Sequence, residues 1–166
     1  SRLSRISYPI LLAGVPECDQ RVLNNLGMNY LSAELYGEEY NQAYSHLYGS
    51  EELLTIHAIA GSSAEKAGIL TGDKLVKIHD KEFSNKKNDL KTLFKFLTTE
   101  IEPSSPVPVY IKRDHEYLTL NVVPEVTCNY PTLIINNSAV NAFADGDSIY
   151  VTQGMMDFAS DNELAL

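Results

Sequence analysis

The chain has 166 residues, of which 44% are hydrophobic and 21% are charged, so it has the composition of a folded protein with room for one domain and part of another. Its formal net charge of -9 argues against a nucleic-acid partner, because phosphates are bound by clustered Lys and Arg. The longest apolar run, residues 8–15, contains Pro and Gly and is shorter than the roughly 20 residues of a bilayer span, so no membrane segment is predicted.

The first 21 residues are predicted to form an N-terminal extension that packs along a neighbouring element. Pro9, Gly14 and Pro16 interrupt their weak alternation of apolar and polar residues. A strand with a tight glycine turn at its start is then predicted over residues 26–35, followed by a short helix over residues 38–47.

Residues 52–60 are predicted to form a buried strand, and the stretch after it, residues 61–81, is dense in turn signals. Ser63 to Lys66 can form one helical turn, which Gly68 ends in the left-handed conformation. The alternation in KLVKIHD, residues 74–80, predicts a half-exposed strand with a hairpin at Asp80 and Lys81.

The clearest amphipathic helix lies in NKKNDLKTLFKFLTTE, residues 85–100. Its predicted apolar face consists of Leu90, Leu93, Phe94 and Leu97, at helical spacing. The opposite face carries Lys86, Lys87, Lys91 and Lys95 and is interpreted as a solvated surface, with attraction of an acidic peptide or carboxylate as the alternative. Two strands follow, VPVYIKR and YLTLNVVP, joined at Asp114 and His115.

The pattern of predicted elements changes after Pro124. Short strands are predicted over residues 132–136, around Ala142 and over 148–154, and a short helix is predicted over 155–159. A further helix is predicted to begin at Ser160 or Asp161 with Glu163 as the acid of a capping box, and it is expected to continue past Leu166.

Cys18 and Cys128 are the two cysteines, and they have none of the close spacing that builds a zinc site. They either form one disulfide that closes a long loop or stay as two buried thiols in a reducing compartment, and the disulfide is favoured. His46, His57, His79 and His115 are not at HxxxH spacing, so none is predicted to bind a metal.

GSSAEKAGILTGDKLVKI, residues 61–78, resembles bacterial PDZ domains, whose usual wording is close to G-S-P-A-x-x-A-G-L-x-x-G-D-x-I-x-x-I. Ser63 stands where Pro is commoner. The resemblance implies an α+β fold, a PDZ-like small β-barrel or sandwich capped by helices, over residues 22–125.

The same resemblance implies that a polypeptide substrate or C-terminal peptide binds as an extra strand between one sheet edge and the long helix. By position the peptide-binding residues of the edge and of the helix are Leu26, Gly27, Met28, Asn29, Tyr30, Leu90, Phe94 and Leu97.

NAFADGDSIYVTQGMMDFASDNELAL, residues 141–166, resembles the stretch upstream of the zinc-binding helix in CAAX-prenyl-protease-like and HtpX-like zinc metallopeptidases. This implies that residues 126–166 begin a zincin-type peptidase domain whose HEXXH helix follows Leu166. Zinc is then expected in the full-length parent, with no metal ligand or catalytic residue in this chain, which should be inactive. The implied substrate-strand residues are Asn141, Ala142, Phe143 and Ala144.

Two alternatives remain beside a substrate-binding portion of a zinc metalloendopeptidase. One is a stand-alone peptide-binding module without catalysis. The other is an autoinhibitory PDZ regulator whose groove is filled by residues 1–20. The resemblance and the favoured disulfide indicate a periplasmic, extracellular or cell-envelope location, with the cytoplasm as the alternative.

Overall fold

A computed structural model describes residues 1–32, 41–49, 53–84 and 89–165. They form two compact units, Asn24–Glu125, here called the central unit, and Ser1–Leu23 together with Val126–Leu166, here called the terminal unit. The predicted extension, residues 1–21, therefore belongs to the same unit as residues 126–166. Within the described ranges, no helix combines the length and apolar content that a membrane span requires.

Helices and strands are numbered in chain order. Their bounds are α1 Arg2–Ala13, β1 Val22–Asn25, β2 Met28–Leu31, α2 Asn41–Tyr48, β3 Leu54–Ala58, α3 Ser63–Lys66, β4 Lys74–Ile78, β5 Lys81–Glu82, α4 Asp89–Thr99, β6 Val107–Arg113, β7 Glu116–Val122, β8 Glu125–Cys128, β9 Thr132–Ile135, β10 Ala142–Ala144, β11 Ile149–Thr152, α5 Gln153–Phe158 and α6 Asp161–Ala165. A 3-10 turn covers Val15–Glu17, and β1 pairs with β8.

The central unit is built on one sheet with strand order β2-β3-β4-β6-β7, in which every neighbouring pair is antiparallel. The hairpin predicted at Asp80 and Lys81 forms one residue earlier, with His79 and Asp80 between the paired residues Ile78 and Lys81. The turn predicted at Asp114 and His115 is confirmed, and Asp114 adopts a φ of 53° there. Such short turns favour Asn, Asp and Gly because they tolerate a positive φ.

The core of the central unit lies between this sheet and α4. Strand residues at alternate positions point into it, as the burial of Val107, Val109 and Ile111 along β6 shows. The side chains with no measurable exposure include Leu54, Ile56, Ile69, Leu75, Ile78 and Leu93. The mixed α+β, sheet-rich arrangement predicted for this unit is consistent with a PDZ-like fold.

The terminal unit begins with a helix, where the sequence predicted an extension packed along a neighbouring element and no helix. Ser1 provides the N-cap of α1, accepting a hydrogen bond from the Ser4 backbone N–H at 3.2 Å, and Pro9 lies inside the helix. Leu3 packs with Val151 and Met156 in a small core. The sheet of this unit has the order β10-β11-β9, with β10 antiparallel and β9 parallel to β11.

Polar and covalent links add to that small core. Cys18 and Cys128 form a disulfide with their Cα atoms 5.7 Å apart. The side chains of Arg2 and Arg5 each pair with Asp161 at 2.6 Å. Because the apolar cluster is small, these links contribute a large share of what holds the unit together.

Several predicted elements are shifted in the structure. The strand expected over residues 26–35 is observed as β2, and residues 33–40 lie outside the described ranges. The helix expected over residues 38–47 is observed as α2. The helix expected over 155–159 begins earlier, at Gln153, because the Thr152 side chain accepts a hydrogen bond from the Met155 backbone N–H.

Candidate functional site

β2 forms an edge of the central sheet, because β3 is its sole sheet neighbour among the described strands. The backbone N–H of Ile59 donates to the Gly27 carbonyl at 3.0 Å, which places these two residues in a hydrogen-bonded pair. Antiparallel pairing alternates along a strand, so Met28 and Tyr30 direct their N–H and C=O groups away from β3. An extended peptide can pair with these groups as an added strand.

Helix α4 runs beside β2 in a direction that two contacts establish. At one end, the Asn24 side-chain amide donates to the Ile101 carbonyl at 2.6 Å. At the other, the rings of Tyr30 and Phe94 meet edge to face, with their centroids 6.5 Å apart. The C-terminal end of α4 therefore lies beside the start of β2, and its middle lies beside the end of β2. We call the space between them the β2–α4 groove.

The walls of the β2–α4 groove are apolar, but the buried face of α4 differs from the predicted one. Leu93 and Leu97 are buried as expected, and Leu90 is partly buried. Phe94, however, is 52% exposed, whereas Phe96 is 4% exposed and packs into the core. Phe94 is therefore not part of the buried side of α4, and its ring lies beside β2 against Tyr30, where its predicted role in peptide binding stays a prediction.

The loop that leads into β2 is held by the two serines that begin α3. The Ser62 hydroxyl donates to the Gly27 carbonyl at 2.8 Å, and the Ser63 hydroxyl donates to the Leu26 carbonyl at 3.1 Å. The Asn25 side-chain oxygen accepts a hydrogen bond from the Gly27 N–H at 2.8 Å. Ser63, the departure from the usual PDZ wording, thus has a structural role that Pro could not fill, since Pro lacks a side-chain donor.

Gly27 is required in this loop for two reasons. Its φ is 77°, a conformation that costs other residues free energy. A Cβ atom there would also lie 2.3 Å from the Ser62 Cβ and 2.5 Å from its Oγ. The close approach keeps the backbone amides at the start of β2 together at one end of the groove. Successive N–H groups in a turn can bind the carboxylate of a peptide C-terminus.

Asp73 in the Gly-Asp turn is structural. Asp73 is 3% exposed, and its two carboxylate oxygens accept hydrogen bonds from the Arg113 guanidinium at 2.7 and 2.8 Å. It also accepts the Leu70 backbone N–H at 2.8 Å, while Arg113 donates to the Gly68 carbonyl. Hydrogen bonding to Asp73 raises the pKa of Arg113. The motif therefore ties the α3–β4 turn to β6.

Two lysines of α4 belong to the face that was predicted to be solvated. Lys91 and Lys95 are exposed on α4, as predicted for a solvated face, whereas Lys86 and Lys87 lie outside the described ranges. Tyr30 is 5% exposed, and burial raises the pKa of its phenol. Its hydroxyl finds no hydrogen-bond partner among the described residues.

The predicted substrate-strand residues lie in the terminal unit. Asn141 precedes β10, which consists of Ala142, Phe143 and Ala144, and all four residues are exposed. β10 is an edge strand, since its described pairing is with β11 alone. Phe143 stacks on Tyr150 with the ring centroids 5.0 Å apart.

Other residues of the same motif are structural. The Thr152 hydroxyl donates to the Asn141 carbonyl at 2.8 Å and accepts from the backbone N–H of Met155 at 3.2 Å. A Cβ atom on Gly154 would lie 2.2 Å from the Ser138 carbonyl oxygen. The residue types at Thr152 and Gly154 are therefore explained by local packing of the loop before β10 against α5.

The described residues contain no group of three or more His, Cys, Asp or Glu side chains that could hold a metal ion. They therefore do not fit a zinc centre.

An open cleft of about 410 Å³ lies within the terminal unit, and its lining includes Asn137, Gly154 and Phe158. The capping box predicted at Ser160 and Glu163 is confirmed, because the Glu163 carboxylate accepts both the Ser160 N–H at 2.8 Å and its hydroxyl at 2.7 Å.

Residues 1–20, which the autoinhibitory alternative assigns to the groove, include helix α1. That helix contributes Leu3 to the core of the terminal unit and carries the arginines that pair with Asp161. Removing this segment would therefore disturb the terminal unit whatever its effect on peptide binding.

No protein-family model and no curated protein matches the chain. Similar solved structures include the HtrA3 PDZ domain bound to a phage-derived ligand (FGRWV), with 19% identity over 60% of this chain and 82% of that one and a TM-score of 0.41. They also include the HtrA-type protease AlgW with a decapeptide, with 19% identity over 72% of this chain and 33% of that one and a TM-score of 0.48.

A third similar structure is an aminopeptidase N family protein from Idiomarina loihiensis, with 22% identity and a TM-score of 0.42, of which this chain spans 14%. The chain thus spans about a third or less of the two longer relatives. Because these TM-scores are below 0.5, the description of the central unit rests on its own strand order and groove and not on these structures. These comparisons give no evidence for a CAAX-prenyl-protease-like or HtpX-like metallopeptidase part.

Proposed function

We propose that the central unit binds the C-terminal segment of a polypeptide as an added strand in the β2–α4 groove. The observation that carries the proposal is the edge of β2, which no other described strand pairs with, beside the apolar side of α4. Main-chain hydrogen bonds to Met28 and Tyr30 supply affinity, and the apolar walls select the side chains.

The terminal carboxylate is proposed to bind at the backbone amides of the loop formed by Leu26, Gly27 and Met28. Ser62 and Ser63 hold this loop through its carbonyl groups, which leaves the amide side of the chain for a ligand. The Asn25 side chain, which accepts the Gly27 N–H, would be displaced by the carboxylate. A charged acceptor makes a stronger hydrogen bond than an amide oxygen, so the exchange is favourable.

The proposal is tested with the full chain and a fluorescent pentapeptide, Phe-Gly-Thr-Trp-Val, whose C-terminus is either a free acid or an amide. Fluorescence polarisation should show at least about tenfold tighter binding of the acid, since charge-assisted hydrogen bonds are lost in the amide. Equal affinity for the two forms, or no binding of either, would contradict the proposal.

A matched pair of variants locates the binding. Phe94→Glu places a charge at the rim of the groove, and Phe158→Glu changes an exposed phenylalanine of the terminal unit, which is 72% exposed. The first variant should weaken binding of the acid peptide about tenfold, while the second should leave it unchanged.

We further propose that the terminal unit belongs to a zinc-dependent metalloendopeptidase to which the central unit delivers polypeptide substrates. The support is the resemblance over residues 141–166, together with the exposed edge of β10, where an extended substrate could pair. No zinc chemistry is assigned to the described residues. A stand-alone binding module fits the central unit equally well.

The reading frame that follows Leu166 in the natural gene distinguishes these two proposals. A metallopeptidase requires two His one helical turn apart with a Glu beside the first. A stop codon, or a continuation without that pair, would leave the binding module. Zinc titration of this chain should give no tight binding in either case. A periplasmic or cell-envelope location is part of the metallopeptidase proposal.

A further inference from the structure

Strand β7 is the second edge of the central sheet, opposite β2, and β6 is its sole neighbour among the described strands. One hydrogen bond shows which of its backbone groups point outward. The Pro108 carbonyl accepts the His79 N–H at 2.9 Å, so Pro108 directs this group away from its β7 partner, Asn121. Hydrogen-bonded and non-hydrogen-bonded pairs alternate along an antiparallel ladder. Tyr117, Thr119 and Asn121 therefore direct their N–H and C=O groups away from β6.

The outer edge of β7 is open within the part of the chain that the structure describes. No described residue hydrogen-bonds to the outward backbone groups of Tyr117, Thr119 and Asn121. Proteins protect such edges with bulges, prolines or repeated charges. β7 has none of these, since its pairing with β6 runs without a register shift and its one charged residue, Glu116, stands at its start. This edge is therefore available to another strand.

The side chains of β7 define what a pairing strand has to offer. Leu118 and Leu120 are on the core face, where they pack against the central cluster but are only partly buried. Tyr117, Thr119 and Asn121 are on the outer face and are exposed. A strand that adds to β7 must therefore present apolar side chains to the core face and polar or aromatic side chains to the outer face.

β7 itself meets these requirements when a second copy pairs with it antiparallel about Thr119. In that register Thr119 lies opposite the partner's Thr119, and Tyr117 lies opposite the partner's Asn121. These are the residues whose backbone groups point outward, so the phase of the new ladder is correct. On the core face Leu118 lies opposite the partner's Leu120, and each covers the exposed part of the other.

The distribution of charge also favours this register. Glu116 lies opposite the partner's Val122, and the two Glu116 residues are therefore roughly 20 Å apart along the paired strands. This distance exceeds the Debye length of about 8 Å at physiological ionic strength, so repulsion between the two carboxylates is largely screened. A parallel, in-register pairing would instead place the two Glu116 side chains next to each other.

We propose that β7 is a self-association surface, through which two copies of this chain form a two-fold dimer with one continuous sheet. The dimer leaves the β2–α4 groove of each copy open, because β2 lies at the opposite edge, and the inference does not rest on the peptide-binding proposal. Its interface is one strand wide and belongs to the small, transient class. A dissociation constant of about 10–100 μM is expected.

The test is sedimentation velocity of the full chain from about 1 μM to about 1 mM. A residue on the two-fold axis meets its own copy, so Thr119→Lys and Thr119→Glu each place two like charges opposite each other. Each variant alone should dimerise at least about tenfold more weakly than the wild-type chain. An equimolar mixture of the two should associate at least as tightly as the wild-type chain. This rescue requires position 119 of one copy to face position 119 of the other.

Two controls accompany the variants. Leu47→Lys adds the same charge on α2, at a residue that is 70% exposed, and should leave the dimer unchanged. Thr119 is exposed, so its variants should unfold within about 2 °C of the wild-type chain when both are measured as monomers.

Hydrogen exchange of the wild-type chain tests the same surface without a variant. Between about 20 μM and about 1 mM, the amides of Tyr117, Thr119 and Asn121 should become about fivefold slower to exchange as the dimer forms. The amides of Leu118 and Leu120, which already bond to β6, should change much less. An alternating pattern of this kind is specific to strand pairing.

Four results would overturn the inference. The first is a wild-type chain that stays monomeric at about 1 mM. The second is a dimer that both Thr119 variants leave intact, which would assign association to another surface such as the β10 edge. The third is a mixture of the two variants that associates no better than either alone. The last is equal weakening by Leu47→Lys, which would show a general effect of charge.

Discussion

The central and terminal units are stabilised in different ways. In the central unit one large apolar cluster runs from the sheet to α4, whereas the buried cluster of the terminal unit consists, among the described residues, of Leu3, Val151 and Met156. The terminal unit adds the Cys18–Cys128 disulfide and the pairing of two arginines with Asp161. Burial therefore dominates in the first unit, and cross-links matter more in the second.

The largest effect is expected from a cavity in the central core. Leu75 has no exposed surface, so Leu75→Ala should lower the free energy of unfolding of the central unit by about 3–5 kcal/mol. Urea unfolding followed by circular dichroism measures the change. Leu133→Ala removes a leucine that is 45% exposed in β9 and serves as control. A loss below about 1 kcal/mol for Leu75→Ala would contradict the account of this core.

Loss of the disulfide should affect the terminal unit. Cys18 and Cys128 are 110 residues apart, but the folded central unit occupies most of that interval. Replacing both cysteines by serine should therefore lower the free energy of unfolding by about 3 kcal/mol, the value for a closed loop of about 15 residues. A loop of about 100 flexible residues would give about 4.7 kcal/mol. Hydrogen exchange should accelerate in the terminal unit and stay unchanged in the central core. Equal acceleration in both would refute their independence.

A smaller effect is expected at the loop before β2. Gly27→Ala combines a positive φ with a clash against Ser62, whereas Gly61→Ala has a φ of 80° and no atom within 4 Å of the added Cβ. Both variants pay the backbone cost, so their difference isolates the clash, which should be about 1–3 kcal/mol of stability. Calorimetric unfolding measures it, and the free-acid peptide should lose affinity for Gly27→Ala alone. Equal losses of stability in the two variants would show that a Cβ atom at position 27 fits beside Ser62 without a clash.

The smallest effect is expected from acidification of the terminal unit. A hydrogen bond from Arg2, aided by Arg5, holds the pKa of Asp161 below its usual value of 3.8. A carboxylate with a depressed folded pKa stabilises the protein above its unfolded pKa and loses that contribution as the pH falls through the folded pKa. The protection of amides in the terminal unit, measured as their exchange rate relative to that of an unfolded chain at the same pH, should therefore fall below about pH 4, and Asp161→Asn should reduce this acid dependence. A variant with the same acid dependence as the wild-type chain would count against the ion pairs.

The order of elements in the central unit was predictable because their signals are local. Turn residues at Asp80, Asp114 and Gly68 mark where strands and helices end, and the leucine spacing of α4 marks its buried side. The exchange of Phe94 and Phe96 was not predictable from spacing. Their burial depends on where α4 lies relative to β2, and this is a long-range packing property.

The terminal unit was harder to predict for the same reason. Pro9 argued against a helix, yet α1 forms because Ser1 caps it and Leu3 packs against Val151 and Met156, which lie far along the chain. The bonds of Ser62 and Ser63 to the loop before β2 were likewise hidden, since the sequence shows two serines after a turn and not their partners. The signal that could have found them is the Ser at position 63 where Pro is usual.

Amide chemical-shift mapping by nuclear magnetic resonance tests the central claim most directly. Titration of the labelled chain with the free-acid peptide should shift the amides of residues 26–30 and of α4, and the amidated peptide at the same concentration should shift the loop amides of Leu26, Gly27 and Met28 much less. Shifts confined to the terminal unit, or equal shifts of the loop amides by both peptides, would contradict the assignment of the β2–α4 groove as a binding site for peptide C-termini.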